Sequence, residues 1–176
     1  MLKYLYRIAN SFIHFIYSVF FSKQLIIKFN SNNQKEYETI IADYSHTFKT
    51  ISNNENYNLD GIVRIVFNRP KKKNAFNELM YNELIDVLNK LSNDSQCKIC
   101  ILTGNGDFYS SGNDLANFIQ LMHPLAMAKK ARLICEDVVK AFINFKKPLI
   151  CIVNGPAIGI AVTTLGTIQS LCTLNL

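Results

Sequence analysis

The sequence predicts an α/β fold in which strands and helices alternate along the chain. Residues 61–67 (GIVRIVF) alternate their apolar side chains around a polar arginine and indicate a strand, which Pro70 ends. Residues 98–103 and 148–153 are short continuous apolar runs, typical of strands that are covered on both faces of a parallel sheet. Segments with helical spacing connect these three strands, as parallel crossovers require.

An antiparallel partner for the first of these strands is predicted at residues 37–44. The Asn-rich stretch 52–58 then forms an enlarged hairpin loop, because Asn and Ser favour turns. A second Asn- and Ser-rich stretch, at 30–35, precedes the folded domain, which is predicted to begin near Tyr37.

The first predicted helix follows Pro70. Asn74 is its expected N-cap, because a short polar side chain can accept a backbone N–H at the start of a helix. The apolar residues after it recur at spacings of three and four, as one face of a helix requires. They are Phe76, Leu79, Met80, Leu84, Val87, Leu88 and Leu91.

The second helix is predicted after Pro124 and runs from about Leu125 to Phe145. Glu136 and Lys140 form a favourable i,i+4 pair on it. Its expected buried stripe consists of Leu125, Ile134, Val138, Phe142 and Phe145.

The composition is that of a chain able to bury a core, with 176 residues, 49% of them hydrophobic and 18% charged. The formal net charge of +6 suits an anionic partner. The positive residues occur in short groups, and no basic run is interleaved with aromatic residues. The sequence therefore does not predict a nucleic-acid partner.

Five cysteines at irregular spacing argue against a disulfide framework and favour a reducing compartment. Cys97 and Cys100 form a C-x-x-C pair, but a zinc site needs a second ligand pair, which the sequence lacks. Because Cys100 lies in an apolar run, we interpret it as a small buried hydrophobe. No metal site is predicted.

Residues 1–35 are predicted to be a targeting or membrane-associated segment, followed by a folded domain at 36–176. Residues 1–28 are basic and rich in apolar and aromatic residues, and the first acidic residue is Glu36. This composition favours a mitochondrial transit peptide, with the peroxisome as the alternative location. The stretch 8–27 is also long and apolar enough to contact or span a bilayer. A secretory signal is disfavoured, because no A-x-A-like cleavage site follows.

Each of the two apolar strands runs into a glycine-bearing turn, at 102–115 and at 153–166. Ligands of parallel α/β sheets bind beyond the carboxyl ends of the strands, and Gly112 and Gly159 allow backbone to approach a ligand closely. The second turn leads into a small apolar helix from about Ile160, whose free N–H groups favour negative charge. Taken singly, each turn is also explained as an ordinary strand-to-helix connection. Neither is a Rossmann or Walker loop.

Three segments carry a family resemblance: FNRPKKKNAFN (67–77), ILTGNGDFYSSGNDLANF (101–118) and KPLICIVNGPAIGIAVTTLG (147–166). They resemble, in the same order, hallmark segments of the crotonase (enoyl-CoA hydratase/isomerase) superfamily and are most similar to its Δ3,Δ2-enoyl-CoA isomerase branch. The match covers roughly residues 37–166. It implies an α/β fold of the crotonase-like (ClpP/crotonase) ββα spiral type, incomplete at the C-terminus.

In that family, two backbone N–H groups hold the thioester oxygen of an acyl-CoA. The resemblance assigns these donors to Asn113 and Ile160, in separate turns. Removing a proton α to a thioester creates an enolate, and two fixed donors stabilise its oxyanion more than they stabilise the substrate. The substrate-binding residues that the resemblance implies are Ala75, Phe76, Ser111, Gly112, Asn113, Asp114, Leu115, Gly159 and Ile160.

In this interpretation the charged residues near these turns hold the loop or attract the ligand and do not transfer protons. By resemblance, Asp114 holds loop structure or makes adenine-side contacts rather than abstracting a proton. Lys71–Lys73 either attract the CoA phosphates or form a solvated charge run. His123 has no evident partner and is assigned no role.

The sequence departs from the family pattern at the general base. Hydratases place a glutamate three residues after the second donor, and that position is Thr163, which is not a base near neutral pH. Isomerases take their carboxylate from a later segment, and this sequence ends at Leu176, before that segment. The remaining carboxylates after Asp114 are Glu136 and Asp137, which we interpret as solvated surface.

The resemblance therefore implies an acyl-CoA-binding enzyme of the enoyl-CoA isomerase type. It would move a 3-enoyl double bond to the 2-position in fatty-acid β-oxidation, but lacks the catalytic glutamate segment and needs no cofactor beyond the coenzyme A of its substrate. One alternative is a non-catalytic acyl-CoA-binding or interaction module, and another is a membrane-inserted N-terminus followed by an unstable remnant. The family's trimer-based assembly is not expected, and a sheet that ends at 148–153 would leave an open edge.

Overall fold

The structure is a computed structural model. It describes residues 25–29, 37–50, 56–58, 61–118, 124–168 and 170–173. Most of the predicted targeting segment 1–35, including nearly all of the stretch 8–27, lies outside these residues, as does His123. Within the described ranges, no helix has the length and apolarity needed to cross a membrane.

The described residues form seven strands and three α-helices, with short 3₁₀ turns at Pro70–Lys72 and Leu115–Phe118. The elements are β1 (Leu25–Phe29), β2 (Ile40–Thr50), β3 (Asn56–Asn58), β4 (Ile62–Phe67), α1 (Glu78–Asn93), β5 (Ile99–Gly104), α2 (Pro124–Ile143), β6 (Leu149–Val153), α3 (Ile160–Leu165) and β7 (Ser170–Thr173).

The strands of the described chain form one sheet in the order β1-β2-β4-β5-β6-β7, and β3 pairs with β2 at its side. Strands β4, β5, β6 and β7 run parallel to one another, whereas β2 is antiparallel to β1, β3 and β4. This confirms the predicted α/β class, with three parallel strands connected by helices. It also confirms a β2–β4 hairpin with an enlarged connection, although residues 56–58, predicted as loop, form a short strand.

Both faces of the central strands are covered, as their continuous apolar sequences predict. Ile65, Leu102 and Cys151 occupy one row across β4, β5 and β6, and each is fully buried at 0% exposure. This row belongs to the main core, which also includes buried residues of α1 and α2. On the opposite face of β5 and β6, Ile101 and Ile152 belong to a second, smaller apolar cluster.

The helix after β4 begins later than predicted. Asn77, not Asn74, is the N-cap of α1, and its side-chain oxygen accepts the N–H of Met80 at 3.0 Å. Phe76 therefore precedes the helix, and Leu79 faces outwards with 41% exposure. Asn74 and Asn77 both lie within four residues of the helix start and both have the chemistry of a cap. The sequence pattern alone does not distinguish them, because only the folded structure shows that the Asn74 side chain bonds to other backbone groups.

The buried stripe of α2 is shorter than predicted. Val138 and Phe142 are buried and Ile134 packs partly against the core, whereas Leu125 is 75% exposed. The error arises because helical periodicity identifies an apolar face but does not show how much of that face is covered. The predicted Glu136–Lys140 pair is present, at 2.8 Å.

The prediction that β6 would form an open edge is wrong. Residues Ser170–Thr173 form β7, which pairs in parallel with β6 from Ile150 to Val153. The backbone N–H and C=O groups along that side of β6 therefore have a partner strand, which is the ordinary means of protecting a sheet edge.

Candidate functional site

Three segments converge at the carboxyl ends of the parallel strands. Residues 68–77 follow β4, residues 105–115 follow β5 and residues 154–160 follow β6. In a parallel sheet these ends share one edge, which is where such folds place their ligands. Hydrogen bonds between the segments then decide which backbone groups remain free.

Asn74 ties the first segment to the second. It lies at φ 52° with 0% exposure. Its side-chain oxygen accepts the N–H of Arg69 at 3.0 Å, and its amide donates to the carbonyl oxygens of Asn105 and Phe108 at 2.9 and 2.7 Å. An asparagine suits this position because it tolerates a left-handed backbone and offers a donor and an acceptor in one side chain.

Ser110 ties all three segments together. Its hydroxyl donates to the carbonyl oxygen of Asn74 at 2.8 Å and accepts the N–H of Gly112 at 3.1 Å. Its backbone N–H donates to Pro156 at 3.2 Å, and its carbonyl oxygen accepts the N–H of Ile158 at 3.0 Å. Sequence reasoning selected the neighbouring Ser111 and missed Ser110, which is fully buried. No local signal separates the two serines.

A short parallel bridge joins Phe76 to Asn113. The N–H of Phe76 donates to Gly112 at 2.7 Å, and its carbonyl oxygen accepts the N–H of Asp114 at 3.0 Å. Phe76 is buried, and its ring lies 4.9 Å from that of Phe67 in an edge-on contact. The bridge therefore fixes the backbone on both sides of Asn113 against the core.

The glycines at the two turns are placed back to back. Gly112 has φ 85°, and a Cβ there would lie 2.6 Å from the carbonyl oxygen of Ile158 and 3.7 Å from the Cα of Gly159. Gly159 has φ 60°, but a Cβ there would meet no atom within 4 Å among the described residues. Gly112 is thus required for both conformation and space, whereas Gly159 is required for its conformation.

The backbone N–H of Asn113 is left free by this network. Within the described ranges, the N–H groups of Ser110, Ser111, Gly112 and Asp114 all have acceptors, and only that of Asn113 in this run has none. The N–H of Ile160, in the first turn of α3, also donates to no acceptor in the described residues. The Asn113 N–H lies at an exposed residue and that of Ile160 in the first turn of a helix, where N–H groups have no intrahelical acceptor, so both are available to a ligand or to water.

Asp114 is held by an ion pair. Its carboxylate accepts from Arg69 at 2.9 Å and from the N–H of Ala116 at 3.1 Å. The N–H of Ala116, together with Arg69, holds the pKa of Asp114 below its usual value. A carboxylate of lowered pKa in an ion pair is a poor proton acceptor, which fits a loop-holding part. Arg69 was not singled out from the sequence.

A small pocket of about 70 Å³ opens beside Asn113, between α1 and α2. The Tyr81 hydroxyl donates to the side-chain oxygen of Asn113, and burial raises the pKa of Tyr81. The volume is far below the ~300–1,000 Å³ of typical small-molecule sites, so the pocket takes only part of such a ligand. Its lining consists of Glu78, Tyr81, Asn113, Asn117, Met127, Lys130, Ala131, Ile134 and Cys135.

The Glu78 carboxylate, which lines this pocket, forms an ion pair. Glu78 accepts from the ammonium of Lys130 at 2.7 Å, and both side chains are about two-fifths exposed. At the position where hydratases carry glutamate, Thr163 is exposed, and its hydroxyl lies 3.5 Å from the carbonyl oxygen of Gly159. Glu136 pairs with Lys140 on the surface of α2. Asp137 is exposed on the same helix.

The other predicted site residues are distributed unevenly. Ala75 is buried at 8% exposure, whereas Leu115 is 76% exposed and does not line the pocket. Lys71–Lys73 are exposed, and the Lys73 ammonium lies 4.9 Å above the Phe108 ring. In the described part of the chain, no group of three or more His, Cys, Asp or Glu side chains is arranged to hold a metal ion.

The family can be stated from comparison with known proteins. A sequence profile described as enoyl-CoA hydratase/isomerase matches residues 58–163. The chain belongs to this family, also called the crotonase superfamily, as the three sequence segments implied.

Curated relatives with isomerase names match the chain at about half identity. The chain is 53% identical over 110 residues to human "Enoyl-CoA delta isomerase 2", covering 61% of this chain and 27% of the relative. It is 47% identical over 110 residues to mouse "Enoyl-CoA delta isomerase 3, peroxisomal", covering 60% and 33%. The chain therefore spans about a quarter to a third of the length of these relatives.

Solved structures agree on the fold. An enoyl-CoA hydratase/isomerase from Xanthobacter autotrophicus Py2 matches with a TM-score of 0.66 and 25% identity, over 78% of this chain and 46% of that one. One from Pseudoalteromonas atlantica T6c matches with a TM-score of 0.60 and 26% identity, over 77% and 47%. The crotonase fold is thus present over about half of its usual length.

Proposed function

We propose that this chain forms the thioester-binding part of an enoyl-CoA isomerase site. In this proposal the N–H groups of Asn113 and Ile160 donate to the thioester oxygen of a 3-enoyl-CoA. Proton removal from C2 and proton return at C4 then shift the double bond to the 2-position, as a step of fatty-acid β-oxidation. The observation that carries the proposal is the unpaired N–H of Asn113 in a turn packed against Gly159.

The energetic argument rests on where charge develops. The enolate formed by proton loss at C2 places negative charge on the thioester oxygen, so donors fixed before the reaction favour that state over the ground state. Removing one such donor typically costs ~3 kcal/mol of transition-state stabilisation. Backbone donors do not depend on the side chains at 113 and 160, and the bridges at Phe76 and Ser110 keep them in place.

The general base is not assigned to a residue of this chain. Thr163 cannot accept a proton near neutral pH, and the Glu78 carboxylate is paired with Lys130. The proposal therefore takes the base from a later segment, as the isomerase branch does. The overall shift moves a proton within one substrate and leaves its oxidation state unchanged, so it calls for no redox cofactor or metal.

A second candidate is a non-catalytic acyl-CoA-binding or interaction module of the same family. What favours it is the engaged state of Glu78 and the threonine at position 163. In both candidates the partner is an acyl-CoA, and the compartment is mitochondrial or peroxisomal. Trimer-based assembly, which is usual in the family, is not part of either proposal.

Calorimetry and a turnover assay on the 176-residue chain test the acyl-CoA binding that both candidates require and the missing base. We expect hexanoyl-CoA to bind, and we expect 3-hexenoyl-CoA to bind without isomerisation at a normal rate. Normal turnover would overturn the claim that the base lies outside this chain. Absence of any acyl-CoA binding would overturn both candidates.

A further inference from the structure

The guanidinium of Arg69 joins the side chain of Asp114, the residue after Asn113, to the backbone of the segment that pairs with Asn113. One terminal nitrogen donates to the Asp114 carboxylate at 2.9 Å, and the other donates to the carbonyl oxygen of Ala75. Asp114 directly follows Asn113. Ala75 directly precedes Phe76, whose backbone pairs with Gly112 and Asp114.

The contact between Arg69 and Asp114 is largely buried and depends on the shape of the arginine side chain. The side chains of Arg69 and Asp114 are 17% and 15% exposed, so the pair is largely shielded from water and salt. A charge-assisted hydrogen bond in such a setting is shorter and stronger than a neutral one. The planar fork of arginine holds two acceptors at a fixed angle, which the single ammonium of lysine does not reproduce.

A second ion pair in the same molecule joins two paired strands of the sheet. Arg64 on β4 donates to Asp43 on β2 at 2.7 and 3.1 Å, across two paired strands. It is a bidentate arginine–carboxylate pair of similar chemistry that lies within the sheet. If breaking an ion pair only lowers the stability of the fold, variants at both pairs should therefore show that effect.

We propose that Arg69 is a positioning residue for the Asn113 N–H: its fork clamps Asp114 to the Ala75 carbonyl and so fixes the peptide that donates to the thioester oxygen. This inference rests on the proposed function, and adds a residue that acts through the backbone without touching substrate. Asp114 is the second half of the clamp. Its charge is required, because the clamp depends on the guanidinium–carboxylate contact.

The test compares two ligands on the full chain. Hexanoyl-CoA has a thioester oxygen, and its thioether analogue S-hexyl-CoA does not, so the ratio of their dissociation constants measures the contribution of the oxygen. Infrared difference spectra with ¹³C at the thioester carbonyl report its polarisation in the same complexes. Both are recorded for wild type, Arg69→Lys, Asp114→Asn and the sheet controls Arg64→Lys and Asp43→Asn.

We expect Arg69→Lys and Asp114→Asn to reduce the thioester preference about tenfold, because a small displacement of a fixed donor has a large effect. The carbonyl band should shift back towards its position in water. The sheet controls should keep the wild-type ratio and band even where their melting temperatures fall. Asp114→Asn retains an oxygen for the Ala116 N–H and is the milder change, so it decides the test if Arg69→Lys does not fold.

Two results would overturn different claims. A wild-type chain that binds both ligands equally would overturn the thioester-binding proposal itself, and this inference with it. A wild-type preference that survives in folded Asp114→Asn, or that is lost equally in Arg64→Lys, would overturn only the positioning of Asn113 by Arg69.

Discussion

The carbonyl oxygen of Ser110 accepts the backbone N–H of Ile158 at 3.0 Å, so the turn after β5 and the turn after β6 are joined by main-chain hydrogen bonds. A second bond, from the Ser110 N–H to Pro156, completes this contact. The two turns that the sequence suggested as partners are thus held side by side by their own backbone. Their spacing is a property of the folded chain, and it can be perturbed at single residues.

Ser110→Ala should destabilise the fold and loosen the first turn. The Ser110 hydroxyl is fully buried and bonded to Asn74 and Gly112, so its removal leaves a buried carbonyl and a buried N–H without their partner. The expected loss in the free energy of unfolding is about 1–3 kcal/mol. Urea denaturation measures it, with Ser92→Ala as the control, because the Ser92 hydroxyl makes only an exposed 3.2 Å contact with the N–H of Lys146. Equal losses in both variants would contradict the role given to Ser110.

Asn74→Gly should cost more, about 2–4 kcal/mol, because glycine keeps the left-handed backbone but deletes three side-chain hydrogen bonds. The matched control is Lys73→Gly, at the neighbouring left-handed residue (φ 51°), whose side chain is exposed. That change should be close to neutral in the same thermal or urea unfolding experiment. A small effect of Asn74→Gly would mean that the first two segments are held together by other contacts.

Gly112→Ala should weaken acyl-CoA binding strongly. A Cβ there lies 2.6 Å from the carbonyl oxygen of Ile158 and at φ 85°, so the turn must move away from its partner. The control is Gly106→Ala, which has the same kind of backbone (φ 82°) but meets only Pro70, at 3.5 Å. We expect an increase of about tenfold in the dissociation constant of hexanoyl-CoA for the first variant, which corresponds to losing one hydrogen bond to the ligand. An equal loss of affinity in the two variants would show that backbone strain, and not the contact between turns, matters, and no loss in Gly112→Ala would contradict the role of that contact.

Acid should weaken the clamp at Asp114. The pKa of this carboxyl is held below its usual value by the Ala116 N–H and by Arg69. Its contribution to stability is therefore complete above the unfolded pKa of about 3.9 and is lost as the pH falls through the lower, folded pKa. Free energies of unfolding of wild type and Asp114→Asn should differ most near neutral pH and converge in strong acid. Because the pKa values of Asp86 and Asp94 are also lowered, both chains retain some acid sensitivity. A difference that does not change with pH would contradict an ionic role for Asp114.

Part of the fold could be predicted because the signals are local. The continuous apolar runs at β5 and β6 identify strands that are covered on both faces. The alternation at β4 identifies a strand because successive side chains point to opposite faces of a sheet. The start of α1 could not be placed, because Asn74 and Asn77 are equally good caps by residue type. Only the folded structure shows that the Asn74 amide donates to the carbonyl oxygens of Asn105 and Phe108. The exposed position of Leu125 was missed for a related reason: helical periodicity identifies an apolar face but not how much of it is covered.

The candidate site divides in the same way. The two glycine turns, the position of Asn113 after Gly112 and the threonine at 163 can be read from the printed sequence, because the resemblance attaches to residues in order. Arg69 and Ser110 could not be found that way. Their partners, Asp114 and Ile158, lie more than forty residues further along the chain, and only folding brings them into contact.

By itself the sequence determined the order of the central strands and helices and the two turns able to approach a ligand, because these depend on residue types and short-range periodicity. It also determined the family, because three segments resemble that family's hallmarks in order. The tertiary structure alone decided which backbone N–H groups remain unpaired and which side chains hold them in place. The physical reason is that a hydrogen bond between distant segments depends on distances of a few tenths of an ångström, and no spacing along the chain encodes them.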